Sequence, residues 1–442
     1  MRLRFDSMAL IVVVGLLATV MKRGWQRNPG MAHGLSDHVL RHTIHGGTLL
    51  LLVLSSFLWA CAKATPSTTV PDPTGRPLER FSVLTYNALH GLEVGRFGVR
   101  PGEPTEERAA RFNLQFEQLA LVQPDVVLLQ EVNPLPAMAE AYVDGLKRFG
   151  LQYGEVHQVD ACGIRLGIGP GLVPSLNNGL AVLVKSPLRV RKLVGLKLSG
   201  GFGGCSDSVG FQTGELRYAL IAEVENPATR GKFLAVSLHL HSGIERNEYF
   251  IQQIREATAQ GQLQDPEHFD KVLAALAANQ DRRIMELRTL MRELGRLQGQ
   301  DDYLAVVIGG DFNFEPDSPE YHELELAGLQ DSYTIAQPDT ELHTYDLQNP
   351  MVNPETEPVP AALSRAIEDL PESRKQSIIA EYRKGISQAR RIDFLFTMPG
   401  PSWKRKACMK QELFGTPDAV SVRTGSDHYG VLNTYRFDRT EC

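Results

Sequence analysis

The chain has 442 residues, 43% of them hydrophobic and 22% charged, with a formal net charge of −6 at pH 7. This composition is globular and supplies enough apolar side chains for a sizeable core, in one large domain or two ordinary ones. Residues 1–61 hold six Lys/Arg and two Asp/Glu, so the remainder carries 40 basic against 50 acidic residues, or −10. An acidic body argues against tight nonspecific binding to nucleic acid, although a local basic groove stays open.

Two apolar tracts come first. The stretch 8-MALIVVVGLLATVM-21 is followed by Lys22 and Arg23, and 49-LLLLVLSSFLWA-60 ends at Cys61. Both fall short of the roughly 20 residues that cross a bilayer. The second has the length of a signal-peptide core. Its end, Leu58-Trp59-Ala60-Cys61, resembles a bacterial lipobox, in which the cysteine is lipidated and becomes the new N-terminus. Plain cleavage and an uncleaved anchor are the competing readings. Residues 1–61 are therefore an expected export segment, and 62–78, rich in Pro, Thr and Ser, an expected flexible linker. The mature chain would then be a lipoprotein of the bacterial cell envelope, held at the membrane surface through Cys61, or a secreted protein. With Cys61 consumed, Cys162, Cys205, Cys408 and Cys442 remain, and an even number in an exported chain points to disulfides. Cys162 and Cys205 both lie in Gly-rich loops, which favours that pair and leaves Cys408 with Cys442; four free thiols are the alternative.

From Phe81 onward, short apolar runs alternate with helical stretches. The strands expected are 81-FSVLTYNA-88, 125-DVVLLQE-131, 179-GLAVLVKS-186, 217-RYALIAEVE-225, 232-KFLAVSLHL-240, 304-LAVVIGGD-311, 391-RIDFLFT-397 and 430-GVLNTYRF-437. The helices expected are 105–122, 134–149, 268–298 and 360–370. In the third, Ile284, Leu287, Leu290, Met291 and Leu294 recur at three- and four-residue spacing and mark one apolar face. Interleaved strands and helices predict an α/β layered fold, with residues 79–442 as a single domain. Segments 242–270 and 335–385 read as inserted surface loops, the second with a short helix and several prolines.

Several of these strands end on polar residues. One delivers Asn87, another Glu131, a third His239 and then His241. The run 306-VVIGGDFNFEPDS-318 delivers Asp311 and Asn313, and Gly309-Gly310 reads as a corner that turns both toward a ligand. Asp393 opens 391–397, and 424-TGSDHYGV-431 presents Asp427 and His428. Each alone is more often a turn cap or a packed side chain. Together they supply carboxylate and amide oxygens suited to a hard divalent cation, and a histidine that a carboxylate can hold in one tautomer. After Cys61, neither clustered cysteines nor a His-x-x-x-His spacing for zinc occurs. Asn177-Asn178-Gly179 is either a turn or part of the same site.

The order Tyr86-Asn87, Leu129-Gln130-Glu131, His239-Leu240-His241, Gly310-Asp311-Phe312-Asn313, Arg391-Ile392-Asp393-Phe394 and Ser426-Asp427-His428 resembles the endonuclease/exonuclease/phosphatase superfamily over about residues 81–437. That superfamily includes deoxyribonuclease I, abasic-site endonucleases, neutral sphingomyelinases and inositol polyphosphate 5-phosphatases. The resemblance implies a four-layer sandwich of two packed mixed β-sheets flanked by helices, with the site at one end. It implies Glu131 as main metal ligand with Asn87 and Asp427 beside it, and His428, Asp393, Asp311, His239 and Asn313 as catalytic residues. The metal implied is Mg²⁺, with Mn²⁺ or Ca²⁺ as substitutes, and the activity is phosphoester hydrolysis by a monomer. The runs His239–Ser242 and 177-NNGLAVLVKSP-187 resemble the sphingomyelinase branch, so a phospholipid headgroup is the first substrate expected. A secreted endonuclease is the second; it needs a basic groove, to which Arg96, Arg100, Arg108 and Arg111 contribute unless they form a solvated helix face. A phosphomonoesterase and a noncatalytic surface lipoprotein are further alternatives. The 5-phosphatase form is not matched, because Glu315 stands where an arginine would.

Overall fold

The computed structural model describes residues 80–442 except 96–97, 102, 162–176, 206–210, 243–250, 253–254, 257–258, 261–265, 339–340, 353–358, 360–362, 365–366, 387, 401–407, 418–422 and 437–442. All of these belong to the second of two compact units, Met1–Thr68 and Thr69–Cys442. The export segment, the linker and Cys61 lie outside the described residues, as do Cys162 and Cys442. No helix among the described residues is long and apolar enough to cross a membrane. Cys205 is disulfide-bonded; its expected partner Cys162 is not among the residues described.

Two six-stranded sheets form the body. The strands are β1 (Arg80–Asn87), β2 (Leu92–Gly95), β3 (Gly98–Pro101), β4 (Val126–Val132), β5 (Tyr153–Ala161), β6 (Asn178–Lys185), β7 (Arg189–Gly204), β8 (Phe211–Glu225), β9 (Lys232–His239), β10 (Ala305–Asp311), β11 (Gln330–Asp331), β12 (Asp393–Pro399), β13 (Cys408–Phe414) and β14 (Gly430–Arg436). The first sheet runs β13-β14-β1-β4-β6-β5, the second β11-β12-β10-β9-β8-β7, and β2 and β3 pair separately. Each large sheet has one parallel pair, β1 with β4 and β9 with β10, among antiparallel neighbours. A parallel pair needs a crossover. Helix α1 (Thr105–Val122) supplies the first and α3 (Pro266–Gln298) the second. Between them in sequence comes α2 (Ala137–Lys147), and α4 (Pro319–Leu326), α5 (Ser332–Ala336) and α6 (Glu372–Ile386) follow.

Alternation along the strands builds the layers, because successive side chains point to opposite faces. Val83, Val126, Leu128, Ala235, Val307 and Leu395 pack between the two sheets. Their sequence neighbours Leu84, Val127 and Leu129 turn outward onto Phe112, Phe116 and Leu119 of α1. On the far side, Leu234, Val236, Val306 and Ile308 meet Leu287, Leu290 and Leu294 of α3. This is the four-layer α/β sandwich of two packed mixed sheets.

Two expectations are corrected. Gly309 and Gly310 make no corner: both lie in register inside β10, opposite Leu395 and Phe394 of β12. They are glycines because a Cβ at Gly310 would sit 2.0 Å from Leu238 O, and one at Gly309 would sit 2.7 Å from Leu128 Cδ1 of the opposing sheet. The inserted segments are not merely loops either. Ile251, Leu363, Ile367 and Ile378 pack with Val272 and Leu276 of α3 into a separate apolar cluster. The pairs 272/276 and 363/367 stand one helical turn apart, which gives each piece an apolar face to bury.

Candidate active site

The polar residues continue the inner-facing apolar stripes. In β1 the inward series Val83, Thr85 ends at Asn87; in β10 Val307, Gly309 ends at Asp311. Asp311 is in register with His239 of β9 on one side and Asp393 of β12 on the other. Three strands thus place His239, Asp311 and Asp393 in one row at the end of the sandwich. Below that row the sheets are joined by Gln130 Nε2, which donates to Ser237 Oγ at 3.0 Å, and by Ser237 Oγ, which donates to Leu129 O at 2.9 Å.

Glu131 reaches the site through a bulge. Leu129 and Val132 both face the helices, and the β4–β6 register shifts between them. The extra residue takes φ of +56° at Glu131, a conformation that a non-glycine residue adopts at a cost and that accumulates at functional sites. Its carboxylate accepts from Asn87 Nδ2 at 3.3 Å and from the His90 amide at 3.0 Å. Asn87 Nδ2 also donates to Asp311 Oδ2 at 3.2 Å and so bridges the two sheets.

His428 Nδ1 lies 2.8 Å from Asp393 Oδ2, and its Nε2 lies 3.9 Å from Asp311 Oδ2. His239 Nε2 approaches the same Asp311 oxygen at 3.5 Å. Asp311 Oδ1 accepts from the Asn313 amide at 3.0 Å, and Asn313, at φ +52°, donates from Nδ2 to Leu240 O at 3.2 Å. The turn that presents Asn313 is therefore at Asn313 itself. Phe312, between them, is fully buried against Phe314, Phe394 and Phe396 and anchors the loop. Asp427 Oδ1 accepts from Ser426 Oγ at 3.1 Å. All eight residues proposed from the sequence thus converge on one end of the sandwich.

Burial opposes ionisation of Glu131, but the charge of His90 and the amide it donates hold the carboxyl at about 2. Burial raises Asp311 above the usual carboxylate range; the His428 charge opposes this, while Asp393 and Glu131 add to it. Burial also raises Asp427. For His428 burial would favour the neutral ring, yet the charge and hydrogen bond of Asp393 raise it well above the ordinary value. Burial and the nearby Arg217 charge push His239 down to about 3, so that ring is neutral near pH 7.

These residues fit a hard divalent cation. Glu131 stays ionised, and Asp311, Asp427 and Asn87 offer further oxygens, the donor type such ions prefer. A second arrangement is also present: one ligand atom each from Asp311, Asp393 and His428 lie within 4.8 Å of one another, all buried. The hydrogen bond between Asp393 and His428 makes that trio a better proton-handling unit than a metal cage.

His241 stands apart from the reacting end. Its Nδ1 lies 2.8 Å from Glu215 Oε2 and its Nε2 2.7 Å from Asn279 Oδ1 of α3. Arg108 and Arg111 are not a solvated face. Arg108 Nη2 donates to Asn133 O at 2.7 Å, and buried Arg111 donates to Ala88 O at 2.8 Å and pairs with Glu103. The side chains of Arg96 and Arg100 are outside the description. Sequence reasoning missed Gln115, whose amide ties Ala88 O and Gly425 O to α1 and so fixes the loops behind Asn87 and before Asp427. It missed Arg217 and Asp160 as well. Asp160 is buried, and burial raises it to about 6 against the Arg217 charge, with Glu131 adding to the rise. Asn178, read from the sequence as a turn former or as part of the same site, is buried at the start of β6 with Oδ1 unbonded.

Among solved structures, a truncated TDP2 from Caenorhabditis elegans is 16% identical, covering 81% of this chain and 98% of its own, with a TM-score of 0.45. A Bacteroides vulgatus endonuclease/exonuclease/phosphatase is 16% identical over 81% of this chain and 99% of its own, with a TM-score of 0.48. A Bacteroides thetaiotaomicron mannosyl-6-phosphatase is 14% identical over 80% and 98%, with a TM-score of 0.44. No curated protein matches the chain. The Endonuclease/Exonuclease/phosphatase family is matched by residues 84–428, more than half of the sequence. The chain belongs to that family, and is a hydrolase of the phosphoester type.

Proposed function

We propose that this protein is an exported, Mg²⁺-dependent phosphodiesterase that releases a phospholipid headgroup, in the manner of a sphingomyelinase C. The observation that carries the chemistry is His428, bonded to Asp393 through one nitrogen and facing Asp311 with the other, next to an ionised Glu131. Glu131, Asn87 and Asp427 would hold the ion, Mg²⁺ or in its place Mn²⁺ or Ca²⁺. When bound it would supply positive charge where negative charge develops on the phosphoryl group. His428, oriented by Asp393, stabilises the developing charge when its ring is protonated, with Asp311 then the competing base, and takes the proton of the attacking water only when the ring is neutral. His239 and Asn313 contact nonbridging oxygens, Asn313 with the second amide proton that Leu240 O leaves over.

The lipid reading is favoured by the acidic body, the N-terminal apolar tracts and the two sphingomyelinase-like runs. It is also favoured by the engagement of Arg108 and Arg111 with protein partners, which removes two of four cations from a nucleic-acid groove. The tether at Cys61 would bring the monomer to a membrane surface. The test is the purified chain with Mg²⁺ on phosphocholine-bearing vesicles and on plasmid DNA in parallel. Phosphocholine release that falls by about 10²–10⁴ in Asp311→Ala and His428→Ala supports the proposal. Plasmid nicking lost in the same variants, with vesicles untouched, would make the protein a nuclease.

A further inference from the structure

We infer that Thr344 and Tyr345 are positioning residues for the His428–Asp393 pair, an inference that rests on the proposed phosphodiesterase activity. Both belong to the second inserted segment, and neither stands out in the sequence.

The Tyr345 ring meets the His428 ring edge-on, at 5.2 Å between centroids and 68° between planes. That geometry is an attractive aromatic arrangement, and Tyr345 is only 5% exposed. The Arg390 guanidinium lies 4.8 Å from the centre of the Tyr345 ring. The backbones of Tyr345 and Arg390 are bridged in both directions, at 3.0 and 2.8 Å. The ring is therefore clamped before it touches His428. Thr344 acts on the other partner. Its Oγ1 accepts from the amides of Ile392 at 3.1 Å and Asp393 at 3.0 Å, and its carbonyl accepts from the amide of Tyr429 at 2.7 Å. One short segment thus grips the backbone of Asp393 and of the residue after His428, and contacts the imidazole ring.

Asp393 alone fixes one nitrogen of His428 and leaves the ring free to rock about that bond. The Tyr345 contact removes this freedom and aims Nε2 at Asp311. Misplacement of a reacting group by about 1 Å costs on the order of 10²-fold in rate, so a residue that never touches substrate can still control turnover.

The test is a double-mutant cycle with an activated aryl phosphodiester, whose good leaving group keeps the residual rate of His428→Ala measurable. Tyr345→Leu is expected to lower kcat by about 10-fold or more with KM changed by less than about 2-fold, and Tyr345→Phe to restore most of it. In the His428→Ala background, Tyr345→Leu should cost less than about 2-fold, because its target is gone. Thr344→Val and Thr344→Ser read the same cycle independently, with loss expected for Val and rescue for Ser. An equal loss in both backgrounds would show a merely structural role and overturn the inference, as would full activity of Tyr345→Leu. A wild-type chain inactive on aryl phosphodiesters, with any divalent metal added, would instead overturn the phosphodiesterase reading, and this inference with it.

Discussion

At the scale of single residues, the site is made by side chains whose position in a strand is ordinary and whose chemistry is not. Asn87, Asp311 and Asp393 each end an inward-facing row whose deeper members are Val83 and Thr85, Val307 and Gly309, and Leu395. Two of the site residues need a backbone departure, Glu131 in its bulge at φ +56° and Asn313 in its turn at φ +52°. Glu131→Gln keeps the shape and removes the charge; loss of metal binding with little change in melting temperature is expected, read by Mg²⁺ or Mn²⁺ titration. His428 gives a pH signature. Its value is raised in the folded chain, so its contribution to stability is complete below the unfolded value of roughly 6.5 and is lost as pH rises through the folded value. In EDTA, His428→Asn should therefore lower the melting temperature most near pH 6 and progressively less toward pH 9. A gap that widens with pH would contradict the assignment of a protonated ring beside Asp393. The eight residues were legible because a polar group that ends an apolar strand is conspicuous. Thr344, Gln115 and Arg217 were not, because their roles depend on partners far away in the sequence: Ala88 is 27 positions and Gly425 310 positions from Gln115, and Asp393 is 49 from Thr344.

At the scale of elements, the eight strands read from the sequence are the eight inner ones. The strands it missed in the large sheets, β5, β7, β11 and β13, are the four sheet edges. An inner strand buried on both faces is a continuous apolar run, as in β4, β6 and β10. An edge strand is half solvated and carries charges that deter pairing with other chains, and β7, with its four Lys/Arg and four terminal glycines and Phe, offers no such run. The long helix was legible from its spacing alone. Leu290 of α3 is fully buried against the second sheet, so Leu290→Ala should cost about 2–5 kcal/mol, visible as a lowered denaturation midpoint. Gly310→Ala should be worse tolerated than Gly295→Ala, since the first Cβ would meet Leu238 O at 2.0 Å and the second meets nothing within 4 Å. Comparable melting temperatures for the two would refute the close-approach account of β10.

At the scale of the whole molecule, two sheets with one parallel pair each bring four strand C-termini to one end, and the site follows from that topology. The order of motifs along the chain disclosed this plan, since it matches the family that residues 84–428 match. The helical cluster built from the inserted segments was hidden because its apolar faces are short and separated by a hundred residues. The net charge of −6 predicts that binding to DNA at physiological salt is weak; a filter-binding constant tighter than about 10⁻⁶ M would count against the lipid proposal. The central claim is hydrolysis of a phosphodiester by metal held at Glu131 and protons handled at Asp311 and His428. It is tested most directly by turnover of bis(p-nitrophenyl) phosphate by the purified chain with Mg²⁺, with EDTA, and in Asp311→Ala. Turnover that EDTA abolishes, Mg²⁺ restores and Asp311→Ala lacks is the predicted result. Turnover that survives EDTA or Asp311→Ala, or none under any metal, would contradict it.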